Sequence, residues 1–308
     1  MPLDPQIQAL LAQLAEQGAK APESMTVAEN RAMIAEFAGL AGPPVELPTV
    51  QDVSAGDVPV RIYTPPGSDT QGPLPVLVYY HGGGWVIGDL DSHDGLCRTI
   101  AARSGALVVA VDYRLAPEHR FPAAVDDSYA ALTWVAEKIG DYGGDPTRLA
   151  VGGDSAGGNL SAVVAQLAKQ RGGPALRFQL LVYPAVDRFD DSPSMTENAL
   201  GPLLSRAWIE WFLGCYLSSP DEGLDPRVSP ALTEDLSGLP PALVITAEFD
   251  PLRDQGAAYA GRLRQAGVDA TLLPVDGMIH GFLQMGGVVD RAREIVDQAA
   301  DAVRAALR

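Results

Sequence analysis

The sequence predicts an α/β protein with one mostly parallel sheet of eight strands, covered by helices on both faces. Two observations carry this prediction. Short, continuous apolar runs recur along the chain, the pattern of strands buried on both faces. They alternate with longer segments in which apolar residues repeat at helical spacing. A third observation sets the scale: 308 residues at 47% hydrophobic are enough for one large core, or a core plus an insertion.

Taken in order, residues 5–16 place Ile7, Leu10, Leu11 and Leu14 on one helical face. Thr26 and Glu29 form a capping box ahead of Met33, Ile34 and Phe37, so residues 27–38 read as a second amphipathic helix. The Pro- and Gly-rich stretch 42–48 closes this N-terminal unit, which either packs on the main body or forms part of a lid. From residue 49 the period changes, and 49–54 and 58–65 alternate like an antiparallel edge pair. Buried strands follow at 75–81, 106–112, 148–153, 178–184, 242–250 and 270–276. Helices fall at 92–103, at 122–138 (Val125, Tyr129, Leu132 and Trp134 inward), after Ser155, and at 254–266. The last helix, 288–307, carries Val288, Ile295, Val296 and Val303 as a stripe. Residues 185–238 lack a buried strand and carry a helical stripe of Leu204, Trp208, Trp211, Phe212 and Cys215. The expected domains are therefore N-terminal cap helices at 1–48, a core of 49–184 and 239–308, and a cap insertion at 185–238.

Composition narrows the function. A net charge of −17 argues against nucleic acid and anionic membrane surfaces as partners. No apolar run reaches the ~18 residues of a membrane span. The first residues lack the basic and apolar regions of a signal peptide. Cys97 and Cys215 are too few for a disulfide framework or a four-ligand zinc site. Both read as small core residues, and a reducing cytoplasm is the expected compartment.

The chemistry centres on residues 148–168, where an apolar run passes through Gly153-Asp154-Ser155-Ala156-Gly157 into a long Ala-rich segment. A strand-to-helix turn of the form Gly-x-Ser-x-Gly leaves both flanks free of Cβ atoms and throws the serine hydroxyl outward. The helix start directs free N–H groups and a positive dipole end at whatever that hydroxyl attacks. The plainer reading is a glycine-rich connection with Ser155 as helix N-cap. Neither a Walker loop nor Gly-x-Gly-x-x-Gly fits, since Asn159 follows Gly158 and, counting from Gly152, Asp154 stands where the second glycine is needed.

A serine nucleophile needs a base. Of the four histidines, His280 sits in a Gly-rich loop just past the last strand, at the same sheet edge as Ser155. His93 opens a helix, His119 lies in a Pro-flanked loop, and His81 ends a strand. The base in turn needs a carboxylate to fix its tautomer. Asp250 directly follows a buried strand and ranks first, with Glu248 and Asp276 behind it; Asp254 reads as a helix cap. In His81-Gly82-Gly83-Gly84-Trp85, three consecutive glycines have no packing rationale in a core, and their use is close backbone approach to a ligand. The N–H groups of Gly83, Gly84 and Ala156 are the candidate oxyanion hole.

The order Ser155, Asp250, His280, with HGGGW at 81–85, the segment 112–124 (DYRLAPEHRFPAA), GDSAGG, EFDPLRD and HGF, resembles the hormone-sensitive-lipase-like esterases of the α/β-hydrolase fold. The match runs from about residue 50 to 285 with every motif in place. The resemblance implies a carboxylesterase for short- to medium-chain acyl esters. It also implies a cap made from the N-terminal helices and the 185–238 insertion, with no metal or organic cofactor. In such esterases the 112–124 segment is a structural signature, so Asp112, Arg114 and Glu118 are expected to hold a loop rather than to catalyse. The expected partner is a small-molecule ester, on a monomer or homodimer. The competing readings are a ligand-binding protein on the same fold and an amide or peptide hydrolase using the same residues.

Overall fold

The computed structural model describes residues 2–18, 20–68 and 72–308. Its strands are β1 (Thr49–Ala55), β2 (Val58–Thr64), β3 (Leu74–Tyr80), β4 (Leu107–Val111), β5 (Gly144–Asp154), β6 (Leu176–Val182), β7 (Ala242–Phe249) and β8 (Ala270–Ile279). They form one eight-stranded sheet in the order β1-β2-β4-β3-β5-β6-β7-β8. The β1/β2 and β2/β4 pairs are antiparallel, and every other pair is parallel. This is the mostly parallel α/β architecture that the apolar runs predict.

The runs are apolar because the sheet is covered twice, and successive residues of one strand serve opposite faces. Val76, Val78 and Tyr80 of β3 join Val125 and Leu132 of α4 (Ala123–Lys138) and Leu160 and Val164 of α5 (Ala156–Arg171) in one core. Leu77 and Tyr79 join Leu96 and Ile100 of an earlier helix, α3 (Asp94–Ser104), and Ile295 and Val303 of α9 (Asp290–Ala306) in the other. A third cluster packs Tyr259 and Leu263 of α8 (Arg253–Gln265) against Val244. Fully burying such an aliphatic side chain contributes about 1.5–3 kcal/mol.

Several local expectations shift. β5 begins at Gly144 rather than 148, because Gly144 pairs with Leu74 before a register irregularity. The last helix starts at Asp290, and Val288 is 43% exposed, so the buried stripe begins beyond it. Tyr129 and Trp134 are only half-buried at the edge of their core. Cys97 is buried whereas Cys215 is half-buried.

The N-terminal helices go separate ways. Ile7 and Leu10 of α1 (Pro5–Glu16) join the cluster of Met278, Ile279 and Val296, and Asp4 N–H donates to Gly277 O at 3.0 Å. Helix α2 (Val27–Phe37) starts on the Thr26/Glu29 capping box and packs Met33 and Ile34 against the opposite core. Between β6 and β7 lie α6 (Pro193–Glu197) and α7 (Arg206–Tyr216) and no strand. Ser205 caps α7 by accepting the Trp208 N–H at 3.0 Å, and Trp208, Phe212, Leu213 and Tyr216 are its buried face. The carboxyl ends of β3, β5, β7 and β8 open at one edge of the sheet, where ligands of parallel sheets gather.

Candidate active site

Ser155 links β5 directly to α5 with φ 56° and ψ −116°, a conformation that costs a Cβ-bearing residue about 1–3 kcal/mol. The backbone is held there from both sides. Ser155 N–H donates to Val182 O at 2.9 Å, and Ser155 O accepts from Asn159 N–H at 3.0 Å. The flanking glycines are needed for close approach: a Cβ on Gly157 would lie 1.8 Å from Tyr80 O, and one on Gly153 would lie 2.3 Å from the same oxygen. Ser155 stands at the N-cap position, but its side chain caps nothing. The hydroxyl is directed elsewhere.

It donates to His280 Nε2 at 2.9 Å, and His280 Nδ1–H donates to Asp250 Oδ2 at 2.8 Å. His280 follows the end of β8, and Gly281 (φ 78°) turns the chain back toward the sheet. Asp250 follows the end of β7, is fully buried, and accepts Leu252 N–H on its other oxygen at 2.8 Å. The Tyr183 ring packs on the imidazole with centroids 4.6 Å apart. The rival carboxylates are otherwise engaged. Glu248 accepts Gly277 N–H at 2.7 Å, Asp254 pairs with Arg253 and accepts Ser194 N–H, and Asp276 is exposed. A hydroxyl on one imidazole nitrogen and a buried carboxylate on the other is an arrangement able to move a proton off the serine.

The glycine loop differs in one respect from its sequence reading, because each glycine has a packing reason. A Cβ on Gly82 would lie 2.4 Å from Asp154 Oδ2, one on Gly83 2.1 Å from Ile87 O, and one on Gly84 2.3 Å from the Phe212 ring. Close approach to ligand is therefore not the only demand on these positions. Gly83 O accepts from Val86 and Ile87 N–H, which folds the loop back on itself. Among the described residues nothing accepts a hydrogen bond from the Gly83 or Gly84 N–H. Ala156, first residue of α5, leaves its N–H free of the helix ladder for the same reason as any helix start.

Sequence reasoning missed a buried polar group beneath this loop. Asp154 accepts Tyr79 O–H at 2.8 Å, Gly82 N–H at 3.1 Å and the Gln284 amide at 3.4 Å. His93 Nε2 lies 3.3 Å from Asp154 Oδ1. His81 stacks on Tyr113 at 4.2 Å and hydrogen-bonds Gly82 O at 2.8 Å; burial, with His93 beside it, pushes its pKa down to about 4. One signal was available. An acid at the end of a fully apolar run must be buried, and a buried charge needs partners. His119, by contrast, is exposed in its loop. In the 112–124 segment Arg114 is bidentate to Asp127, Glu118 pairs with Arg31, and burial raises Asp112 above the usual carboxylate range.

Ser155, His280, Gly83 and Gly84 open into a cavity of about 320 Å³. Ile34, Phe37 and Leu40 line it from the N-terminal side, and Phe189, Leu204, Trp208, Ile209 and Phe212 from the segment between β6 and β7. No residue of α1 and none of Asp112, Arg114 and Glu118 lines it. Among the described residues no cluster of His, Cys, Asp and Glu is disposed to hold a metal, and no helix is long and apolar enough to cross a membrane.

Comparison with known proteins gives a consistent set of relatives. A family model described as the alpha/beta hydrolase fold matches residues 77–284. The carboxylesterase NlhH of Mycobacterium tuberculosis is 51% identical over 254 residues, covering 82% of this chain and 79% of the relative. The ethyl acetate hydrolase of Pseudomonas putida is 41% identical over 316 aligned positions, 99% of each chain. The structure of the hyperthermophilic esterase from the archaeon Pyrobaculum calidifontis superposes with a TM-score of 0.92 at 43% identity, covering 99% of each chain.

Proposed function

The chain belongs to the α/β-hydrolase family, and from that premise we propose that it is a carboxylesterase acting on short- to medium-chain acyl esters. One observation carries the reading. The Ser155–His280–Asp250 chain of hydrogen bonds, 2.9 and 2.8 Å long, ends in an apolar cavity beside unused backbone N–H groups. The esterases and the ethyl acetate hydrolase among the relatives support the same chemistry.

His280 takes the Ser155 proton as the hydroxyl attacks the ester carbonyl, while Asp250 holds the ring in the needed tautomer and stabilises the imidazolium. The negative charge of the tetrahedral intermediate settles on the N–H groups of Gly83, Gly84 and Ala156. Protonated His280 then gives its proton to the departing alcohol. Water, deprotonated by the same imidazole, attacks the acyl-enzyme and frees the acid. Helix α2 and the 185–238 insertion serve as the cap that shapes the apolar cavity, and its modest volume sets the limit on chain length.

The purified protein is expected to turn over p-nitrophenyl butyrate and to lose activity irreversibly to an organophosphate. Ser155→Ala should lower kcat by about 10⁴-fold or more. Activity of that variant within tenfold of the parent removes Ser155 as nucleophile. Clear hydrolysis of an emulsified long-chain triglyceride contradicts the chain-length assignment.

A further inference from the structure

The peptide units on either side of Gly82 are each anchored by side chains, the second through its carbonyl alone. On one side His81 Nδ1 bonds Gly82 O at 2.8 Å. On the other, the single Gly82 N–H is shared between Asp154 Oδ1 at 3.1 Å and His93 Nε2 at 3.2 Å. One N–H cannot fully satisfy two buried groups, and the two also touch each other, with His93 Nε2 3.3 Å from Asp154 Oδ1 and 3.5 Å from Oδ2. Gln284 joins both. Its side-chain amide nitrogen lies 2.7 Å from His93 Nε2 and 3.4 Å from Asp154 Oδ2. Ser92 Oγ holds the far side of the ring, 3.0 Å from His93 Nδ1.

Gln284 ends the short turn Phe282–Gln284, four residues after His280. The amide therefore ties the loop carrying the base to the loop carrying the free glycine N–H groups, through the acid adjacent to the nucleophile. We propose that Gln284, acting through His93 and Asp154, is a positioning residue for the oxyanion hole: it fixes the Gly82 peptide so that the next two N–H groups converge on the developing oxyanion. This rests on the esterase reading above.

The test is Gln284→Met, which keeps the side-chain volume and removes both donors, with Gln284→Ala as a second variant should the first fail to fold. Active sites are counted by organophosphate titration, so that unfolded protein does not enter kcat. For p-nitrophenyl butyrate, kcat per titrated site should fall about 10- to 100-fold, as for a small misplacement of a reacting group, with KM changed by less than about threefold. Affinity for a trifluoromethyl ketone, which forms a hemiketal oxyanion on the serine, should fall in proportion to kcat. A kcat per site within twofold of the parent, or a rise in KM with kcat and hemiketal affinity unchanged, overturns the proposal; a drop in Tm alone does the same. Ser155→Ala separates the two layers. If it retains activity, the esterase site itself is misassigned. If it is dead while Gln284→Met matches the parent, only the positioning role is lost.

Discussion

His81 shows how one buried side chain sets a pH limit. Its ring is fully enclosed, stacked on Tyr113, and burial moves its pKa from 6.5 to about 4. In the unfolded chain the same imidazole protonates near its ordinary value. Between those two pH values the unfolded state therefore binds a proton that the folded state refuses, and stability rises with pH across the window. The contribution is full above about pH 6.5 and is lost as pH falls toward 4, in total about 3 kcal/mol. Urea unfolding at pH 7 and pH 5 should differ by about 2 kcal/mol on this account. His81→Phe, which keeps a ring against Tyr113 but cannot titrate, should remove that part of the slope. An unchanged slope in the variant assigns the acid sensitivity to other groups.

At the scale of elements, one side chain makes the polar contacts that tie α2 to the glycine loop and the 112–124 segment. Arg31 donates to Val86 O at 2.9 Å and Ala116 O at 3.1 Å, and it is bidentate to Glu118 at 2.8 and 2.7 Å. One and two turns further on, Ile34 and Phe37 line the cavity. The exposed ion pair alone is worth about 0–1 kcal/mol, whereas each charged donor on a backbone carbonyl adds about 1.5–3. The carbonyl contacts decide how firmly the helix is seated. Arg31→Ala should raise KM for p-nitrophenyl octanoate about fivefold, the equivalent of about 1 kcal/mol, while kcat for the acetate stays within twofold. If KM moves for neither ester, α2 has no part in the cap. The sequence marks Thr26, Glu29 and Glu118 individually, but nothing local says that Arg31 and Glu118, 87 positions apart, meet.

For the molecule as a whole, legibility follows the range of the interactions. Strands β3 to β8 are readable because burial writes a largely apolar run into a short stretch, and β1 and β2 because their residues alternate. The order β1-β2-β4-β3-β5 is not, because it depends on pairings that no single stretch encodes. Ser155, Asp250 and His280 are legible as candidates because each directly follows a buried run. Gln284 is not, since a glutamine in a turn reads as solvated until the fold places His93 and Asp154 beside it. Charge is the one property that needs no fold at all. With 39 acidic against 22 basic residues, many carboxylates must lie near others without a cation to offset them. Arg61 pairs with Asp52, Asp91 and Asp94, and Asp94 is shared with Arg98. Added salt weakens both the exposed pairs and the general repulsion. The repulsion should win, because it grows with net charge whereas the exposed pairs contribute little each. Raising NaCl from about 10 mM to about 0.5 M at pH 7.5 should lift Tm by about 2–5 °C. The same step near pH 4.5, where the chain carries almost no net charge, should give a much smaller rise. A Tm that falls with salt at pH 7.5 would mean that ion pairs such as those around Arg61 outweigh the excess of acid.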